Sequence, residues 1–342
     1  MTLEMVAQLA GVSRATASRV LTGHPRVSPD ARRAVERAAQ KLGYVPNQAG
    51  RALATGRSDA VALVIFEPTT FLFGDPFLAR LVRGIDDVLA QRERQLVLLT
   101  PHAGSDLGRL ERYLAAGHSE GVLMVSLHGS HPLPGRLSAR EIPVVFGGRP
   151  PEPDRFSYID ADNLGGAFAA VSHLADGGRR TIATITGPHD MPAGYDRLLG
   201  WRSALEAADL IAADDLVEPG DFTREGGVRA MRALLQRRPR LDAVFVASDM
   251  MAGGALQVLR DAGRRVPEDV AVVGFDDDPL AEITNPPLSS VRQPVEEMGR
   301  EMARLLLDVI RTPHRARTRV LLSTQLQVRL SSSPRPVMKV PA

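Results

Sequence analysis

Two patterns of apolar and polar positions divide the chain. Up to residue 43 the apolar positions recur at helical spacing; from residue 60 short apolar runs alternate with amphipathic stretches. In the first part, Leu3, Val6, Leu9 and Ala10 share one face of a predicted helix over 2–10, with Thr2 placed to cap it and Gly11 to end it. Ser13 is placed to cap a second helix over 14–21, with Gly23 as its stop. Ser28, followed by Pro29 at the first helical position, opens a third, whose Val35, Ala38, Ala39 and Leu42 lead to Gly43. Ala7, Ala10 and Ala17 are small enough to let such helices cross closely. Two short helices joined by a tight, glycine-containing turn make a helix-turn-helix.

The second part reads as strands and helices in alternation. Strands are predicted at 60–66, 96–100, 121–126, 142–147, 181–186, 243–248 and 270–276, with further strands within 319–330. Helices are predicted at 77–91, 106–116, 164–174, 195–208, 224–236, 250–262 and 295–310. Such alternation predicts parallel sheets covered by helices on both faces, here two open sheets in succession and hence two lobes. The fold class expected is an N-terminal all-α, three-helix helix-turn-helix head followed by a two-lobed α/β domain.

Charge sharpens the division. Residues 1–58 hold nine Arg or Lys and three acids, and the remaining residues hold 33 basic and 37 acidic groups. A head of net +6 on a body of net −4 is the footprint of a polyanion-binding module joined to something else. The second helix would show Arg14, Ala15, Thr16, Ser18 and Arg19, a short, polar and cationic face where a protein-interaction module would carry an apolar stripe. It suits a helix lying in the major groove, with arginines gripping guanine and Ala15 against a thymine methyl.

Other classes fall away. The chain has no cysteine, which excludes disulfides, thiolate metal sites and thiol nucleophiles. No apolar run is long enough for a membrane span, and the N-terminus lacks an export signal, so a cytoplasmic location without membrane attachment is expected. No dinucleotide, P-loop or G-x-S-x-G motif is present, so no cofactor and no catalytic residue is assigned. His128 and His131 lack a third ligand in view, so no metal is assigned either. His173, on an otherwise apolar helix, is expected to be a structural hydrogen-bonder.

The segment TLEMVAQLAGVSRATASRVLTGHPRVSPDARRAVERAAQKLGYVPNQAGRALATGRS resembles the head of the lactose-repressor (LacI) family of bacterial transcription regulators, through VAQLAGVS, SRVL, RVSP, LGYVPN and the RAL–TGRS hinge. The resemblance implies that Arg14, Ala15 and Arg19 read bases, and that Ser13, Thr16, Ser18, Arg26, Tyr44 and Asn47 meet the DNA backbone or adjoining bases. It makes residues 48–59 a hinge helix and linker, ordered on operator DNA, with Leu53 as the apolar wedge in the minor groove. Gly50 stands where the family usually has alanine, which weakens a helix by about 1 kcal/mol.

From about residue 60 to 332 the chain is similar to the family's effector domain, whose fold is like that of periplasmic sugar-binding proteins. The stretches DPFLARLVRGI, TITGPHDMPAGYDRLLGW, AVFVASDMMAGGAL, RRVPEDVAVVGFDDDPLA and PPLSSVRQP carry this likeness. It implies domains at 1–47 (DNA binding), 48–59 (hinge), 60–332 (effector binding and dimerisation) and 333–342 (tail), with lobe crossings near 160, 291 and 322. Small-molecule sites in open α/β sheets lie beyond the carboxyl ends of the strands. The matching positions are Asp75, Phe77, Asp160, Arg197, Trp201, Phe222, Ser248, Asp249 and Asp276, a set of one arginine, several carboxylates and ring faces that suits a polyhydroxylated ligand. GPHDMPAGYDR resembles regulators of glycoside use, which points to a sugar effector, a disaccharide or short β-glucoside.

The expectation is therefore an allosteric transcription repressor, a homodimer on palindromic double-stranded operator DNA, released by a sugar. The competing reading is a solute-binding protein without DNA function, against which the basic head argues.

Overall fold

The computed structural model describes residues 1–22, 24, 26–44, 58–68, 71, 74–101, 107–313 and 315–333. The chain divides into two compact units, residues 1–60 with 116–120, and the remainder. In the first, α1 (Leu3–Ala10), α2 (Arg14–Leu21) and α3 (Pro29–Leu42) are capped by Thr2, Ser13 and Ser28, whose hydroxyls accept from the backbone N–H of Met5, Thr16 and Ala31. Gly11 and Gly43 take left-handed φ of 65° and 60° at the ends of α1 and α3. The shared core is Val6, Ala7, Ala17, Val20, Val35, Ala38 and Ala39. Leu9, expected inside, is exposed; Ala7 takes its place, since the buried stripe of α1 turns slightly toward its small residues. Helix α2 is capped at Thr22, and Gly23 lies outside the described residues.

The second unit holds two six-stranded sheets. The first runs β11-β5-β4-β3-β1-β2, made of β1 (Ala60–Ile65), β2 (Gln95–Leu99), β3 (Val122–Val125), β4 (Val144–Gly147), β5 (Ser157–Ala161) and β11 (Arg319–Leu322). Helices α4 (Pro76–Ala90), α5 (Leu107–Ala115) and α6 (Leu133–Ala139) connect its strands. The second sheet runs β12-β10-β9-β8-β6-β7, made of β6 (Ile182–Thr186), β7 (Val217–Pro219), β8 (Ala243–Val246), β9 (Ala271–Asp276), β10 (Ser289–Arg292) and β12 (Gln325–Gln327). Around it lie α7 (Asn163–Asp176), α8 (Pro192–Ala207), α9 (Arg224–Arg237), α10 (Asp249–Asp261) and α11 (Pro279–Ile283). The pairings from β1 to β3, β4, β5 and β11 are parallel, as are those of the second sheet except β12, which runs antiparallel to β10.

Sheet membership shows how the chain moves between lobes. It leaves the first sheet after β5, returns after β10 as α12 (Val295–Arg311), and crosses again between β11 and β12. Helix α12 packs on α4 and on the first sheet, where Val295, Met298, Met302, Ala303 and Leu306 join one core with Leu63, Ile65, Leu123 and Val145. Gly84 of α4 and Gly299 of α12 make that crossing possible, because a Cβ at either would overlap the other helix's backbone. The opposite face of this sheet buries Ala62, Val64, Met124 and Phe146 against Leu114 and Leu137. The second lobe has one larger core around Trp201, Phe245 and Phe275.

The sequence pattern does not show α6, β5, β7, β10 or α11. Helix α6 contains Pro134 and Gly135, β5 breaks its apolar run with Tyr158 and Asp160, β7 has three residues and α11 has five. Helix α8 begins at Pro192 rather than near 195, with proline at its first turn. His173 does hydrogen-bond structurally, its Nε2 lying 2.8 Å from Ser332 Oγ. Among the described residues no helix is long and apolar enough to cross a membrane.

Candidate functional site

Two surfaces carry the candidate chemistry, one in each unit. On α2, Ser13, Arg14, Ala15 and Arg19 are exposed while Thr16 and Ser18 are half-buried. Ser13 Oγ accepts from Thr16 N at 3.1 Å, and the two hydroxyls are 2.9 Å apart, so the first turn is held rigid. Arg14 Nε meets Glu4 at 2.6 Å in an open ion pair. Exposed pairs hold weakly, so this one does not keep Arg14 from a phosphate or a base. Arg26 is exposed, and Tyr44 packs against the head's core. Asn47, Gly50, Leu53 and the predicted hinge over 48–57 lie outside the described residues.

The second surface is a cleft between the two sheets, at the carboxyl ends of their strands. It gathers Asp75, Phe77, Asp160, Arg197, Phe222, Ser248 and Asp276 around two adjoining pockets that share Phe77, Ser126, Met191, Ala193, Arg197 and Gln293. Arg197, on α8, is buried at the centre. It donates from Nε to Asn163 Oδ1 at 2.9 Å and from Nη1 to Ala247 O at 2.5 Å, and its guanidinium stacks 3.7 Å from the Phe275 ring centre. Its Nη1 lies 3.6 Å from Asp276 Oδ1, and the Phe222 ring covers it at 5.7 Å. Phe222 reaches this position over Gly187, where any Cβ would collide with the ring.

Acids outnumber the two arginines, Arg197 and Arg149, that line the cleft. Burial, more than any neighbour, raises Asp75 and Asp160 to about 6, and Asp276 is raised by the same cause against the pull of Arg197. The cleft thus offers carboxylate oxygens that accept hydrogen bonds. It welcomes hydroxyl donors and disfavours an anionic ligand. Asp75 Oδ1 accepts from Phe77 N at 2.9 Å as the cap of α4, a role asparagine also fills.

Asp75→Asn is accordingly expected to stabilise the free protein. A carboxyl raised from 3.8 to about 6 contributes fully below the unfolded value and loses its contribution as pH rises through 6. The gain should therefore approach about 3 kcal/mol near pH 8 and vanish below about pH 4. Thermal denaturation of both proteins across that range checks it, and an unchanged melting point at alkaline pH contradicts it.

Two sequence candidates do not reach the cleft, and each is a correction. Trp201 is fully buried in the second lobe, and its Nε1 donates to Ile182 O at 3.2 Å. It shares a face of α8 with Arg197 but lies one helical turn further on, against the amino end of β6 and away from the strand ends that form the cleft. Asp249 is also fully buried; one oxygen accepts from Ser290 Oγ at 2.6 Å and the other from Asp278 N at 3.0 Å. Both oxygens are engaged, so it ties α10 to β10 and to the start of α11 and does not meet a ligand. The cap of α10 is its neighbour Ser248, which does line the cleft.

The structure adds Glu67, Ser126, Asn163 and Gln293 to the cleft. Gln293 donates to Asp276 Oδ1 at 2.6 Å from the crossing after β10. Ser126 and Gln293 directly follow strands β3 and β10, so extending the strand-end rule to every strand would have found them. Ser126, Phe222 and Asp276 hold left-handed φ of 56°, 62° and 114°. Strain of this kind, about 1–3 kcal/mol per residue, persists where surrounding structure enforces it and concentrates at ligand sites.

Comparison with known proteins covers both parts of the chain. The family model for bacterial regulatory proteins of the lacI family matches residues 2–47, and that for a periplasmic binding protein-like domain matches residues 171–332. The chain is 53% identical over 333 residues to the HTH-type transcriptional regulator CelR of Thermobifida fusca, covering 96% of this chain and 98% of that protein. It is 33% identical over 341 residues to the HTH-type transcriptional repressor CytR of Escherichia coli, with coverages of 97% and 96%. A solved CelR–cellobiose complex superposes with a TM-score of 0.78 at 51% identity, covering 97% of this chain and 99% of that one. The lac repressor dimer bound to operator and the anti-inducer ONPF gives a TM-score of 0.86 at 25% identity, with the same coverages. The chain, with its helix-turn-helix head and two-lobed α/β domain, therefore belongs to the lacI family of bacterial transcriptional regulators.

Proposed function

We propose that this chain is a repressor that binds a palindromic operator as a homodimer and is released by a neutral β-linked disaccharide, with cellobiose the first choice. The observation that carries the sugar reading is the buried Arg197 ringed by Asp75, Asp160 and Asp276 between the lobes. The 53% identity to CelR, for which a relative's cellobiose complex has been solved, supports the same ligand. Residues 1–47 are the DNA-binding domain, 48–59 the hinge, 60–332 the effector and dimerisation domain and 333–342 a tail. Arg14, Ala15 and Arg19 read bases; Ser13, Thr16, Ser18, Arg26, Tyr44 and Asn47 meet the DNA backbone or adjoining bases; Leu53 wedges the minor groove. The protein works in the cytoplasm, where its DNA is, and catalyses nothing; its named relatives are regulators.

The sugar and the operator compete through the lobes. Whatever factor cellobiose takes from operator affinity, operator DNA takes from cellobiose affinity. The test is gel retardation with DNA upstream of the protein's own gene, across a salt series and with cellobiose added. Retardation should weaken steeply with salt, as phosphate contacts require, and be lost with cellobiose. Retention of the complex at saturating cellobiose would refute release by this sugar; absence of any preferred DNA would refute the regulator reading.

Arg19 has no ion-pair partner among the described residues and sits on the exposed face of α2. Arg19→Ala is expected to cost about 1–3 kcal/mol of operator binding and to relax base preference at one position. Competition against single-base operator variants reads the change; an intact preference would remove Arg19 from base recognition.

A further inference from the structure

The loops after β3 and β6 meet at the mouth of the cleft. His128, on the first loop, stands between two carboxylates from different lobes. Its Nε2 is 3.2 Å from Glu67 Oε1, and its Nδ1 is 3.1 and 3.2 Å from the two oxygens of Asp190. Beside it, Gly129 N donates to Asp190 O at 2.9 Å. Glu67 follows β1 and lines the cleft with Asp75. Asp190 begins a second-lobe segment, Asp190 to Asp196, whose Met191 and Ala193 also line it. Arg149, after β4, takes the far end of that segment through Asp196 at 2.5 and 2.6 Å. The segment is thus tied to the first lobe at both ends, by one permanent cation and one titratable one.

We propose that His128 is a positioning residue of the effector site: it fixes the Glu67 carboxylate in the cleft and fastens the Asp190–Asp196 segment to the first lobe, so that closure over the sugar depends on the charge of one imidazole. This rests on the reading of the cleft as the sugar site. A neutral imidazole has a single N–H and serves one of the two carboxylates; the imidazolium serves both. The hydrogen bond to Glu67 raises the His128 pKa above the ordinary histidine value, burial opposes it, and Asp190 adds to it. Glu67 and Asp190 are the charged groups acting on it. The other titratable groups on and beside these loops are Asp75, which feels Glu67; His131, whose ring lies 4.8 Å from Phe66; and His189, bonded to Thr186 Oγ1 at 2.9 Å.

Two measurements on the intact protein test this. In proton NMR of the free protein, the imidazole signal that disappears in His128→Gln should titrate above the ordinary histidine range. A pKa at or below about 6.5 overturns the clasp whether or not any sugar binds. In calorimetric titration with cellobiose from about pH 5 to about pH 9, wild-type affinity should fall at the acid end as Asp75 and Asp160 protonate, and at the alkaline end as His128 discharges. His128→Gln should weaken binding about tenfold near neutrality and lose the alkaline limb while keeping the acid one. Asp190→Asn, which leaves the Glu67 contact, should weaken binding less and move the alkaline limb to lower pH. An alkaline limb unchanged in His128→Gln overturns the proposal. Failure of wild-type protein to bind cellobiose overturns the effector reading instead, and leaves the clasp to be decided by the NMR titration.

Discussion

Replacing Arg197 with alanine is expected to abolish cellobiose binding and to destabilise the effector unit by about 3–5 kcal/mol. Both effects come from the same burial. The guanidinium is held by Asn163 Oδ1 and Ala247 O, lies flat on Phe275, and is the buried cation beside Asp276. Without it, Asp276, already raised by burial, loses its counter-charge, and two buried acceptors lose a donor. Arg197→Lys separates the two roles. It keeps the charge but gives up the planar fork and the stacking, so it should fold and still bind sugar poorly. Calorimetry with cellobiose and thermal denaturation of both variants give the answer. Sugar binding that survived in Arg197→Ala would place the ligand away from this cleft.

Trp201→Ala is expected to cost about 3–5 kcal/mol by leaving a large cavity in the second lobe. Trp201→Phe should cost about 1–3 kcal/mol, chiefly because Ile182 O loses its donor. Neither change replaces a residue that lines the cleft, so a Trp201→Phe protein should bind cellobiose with wild-type affinity. As this is the chain's one tryptophan, its emission reports the state of the second lobe. It should be blue-shifted in the native protein and move to the red in one step with the loss of that lobe. A large drop in sugar affinity in Trp201→Phe would return the indole to the ligand site.

Periodicity made the head readable because every helix there starts at a hydroxyl cap, and Gly11 and Gly43 end two of them. In the body, buried strands such as β3 and β9 are unbroken apolar runs and stand out at once. What stayed hidden was short or mixed. Helix α6 begins with proline and glycine inside it, and β5 carries Asp160 in mid-strand because that carboxylate faces the cleft. The strand-end rule found Asp75, Asp160, Phe222, Ser248 and Asp276, yet it treats neighbours alike. Only the structure shows that Ser248 faces the cleft while Asp249, one residue on, turns inward to Ser290 and Asp278. Spacing along α8 placed Trp201 on the face of Arg197, and one further turn carried it past the cleft and into the core. His128 carried no signal in sequence, since its partners Glu67 and Asp190 are 61 and 62 residues away.

A ribosome delivers this chain N-terminus first, at about 5–20 residues per second. Strands β1 to β5 therefore emerge well before α12, which covers the face of Leu63, Ile65 and Leu123. The second sheet waits longer still: Ser331 and Ser332 close it late, the one bonding Ser289 N and Val272 O, the other Ser289 Oγ and His173. Two unfinished sheets thus coexist on the nascent polypeptide, the first with a bare apolar face and the second without its edge strand β12. Neither lobe can be excised as a contiguous fragment, and newborn molecules of this regulator should lean on chaperones until the last strand has docked.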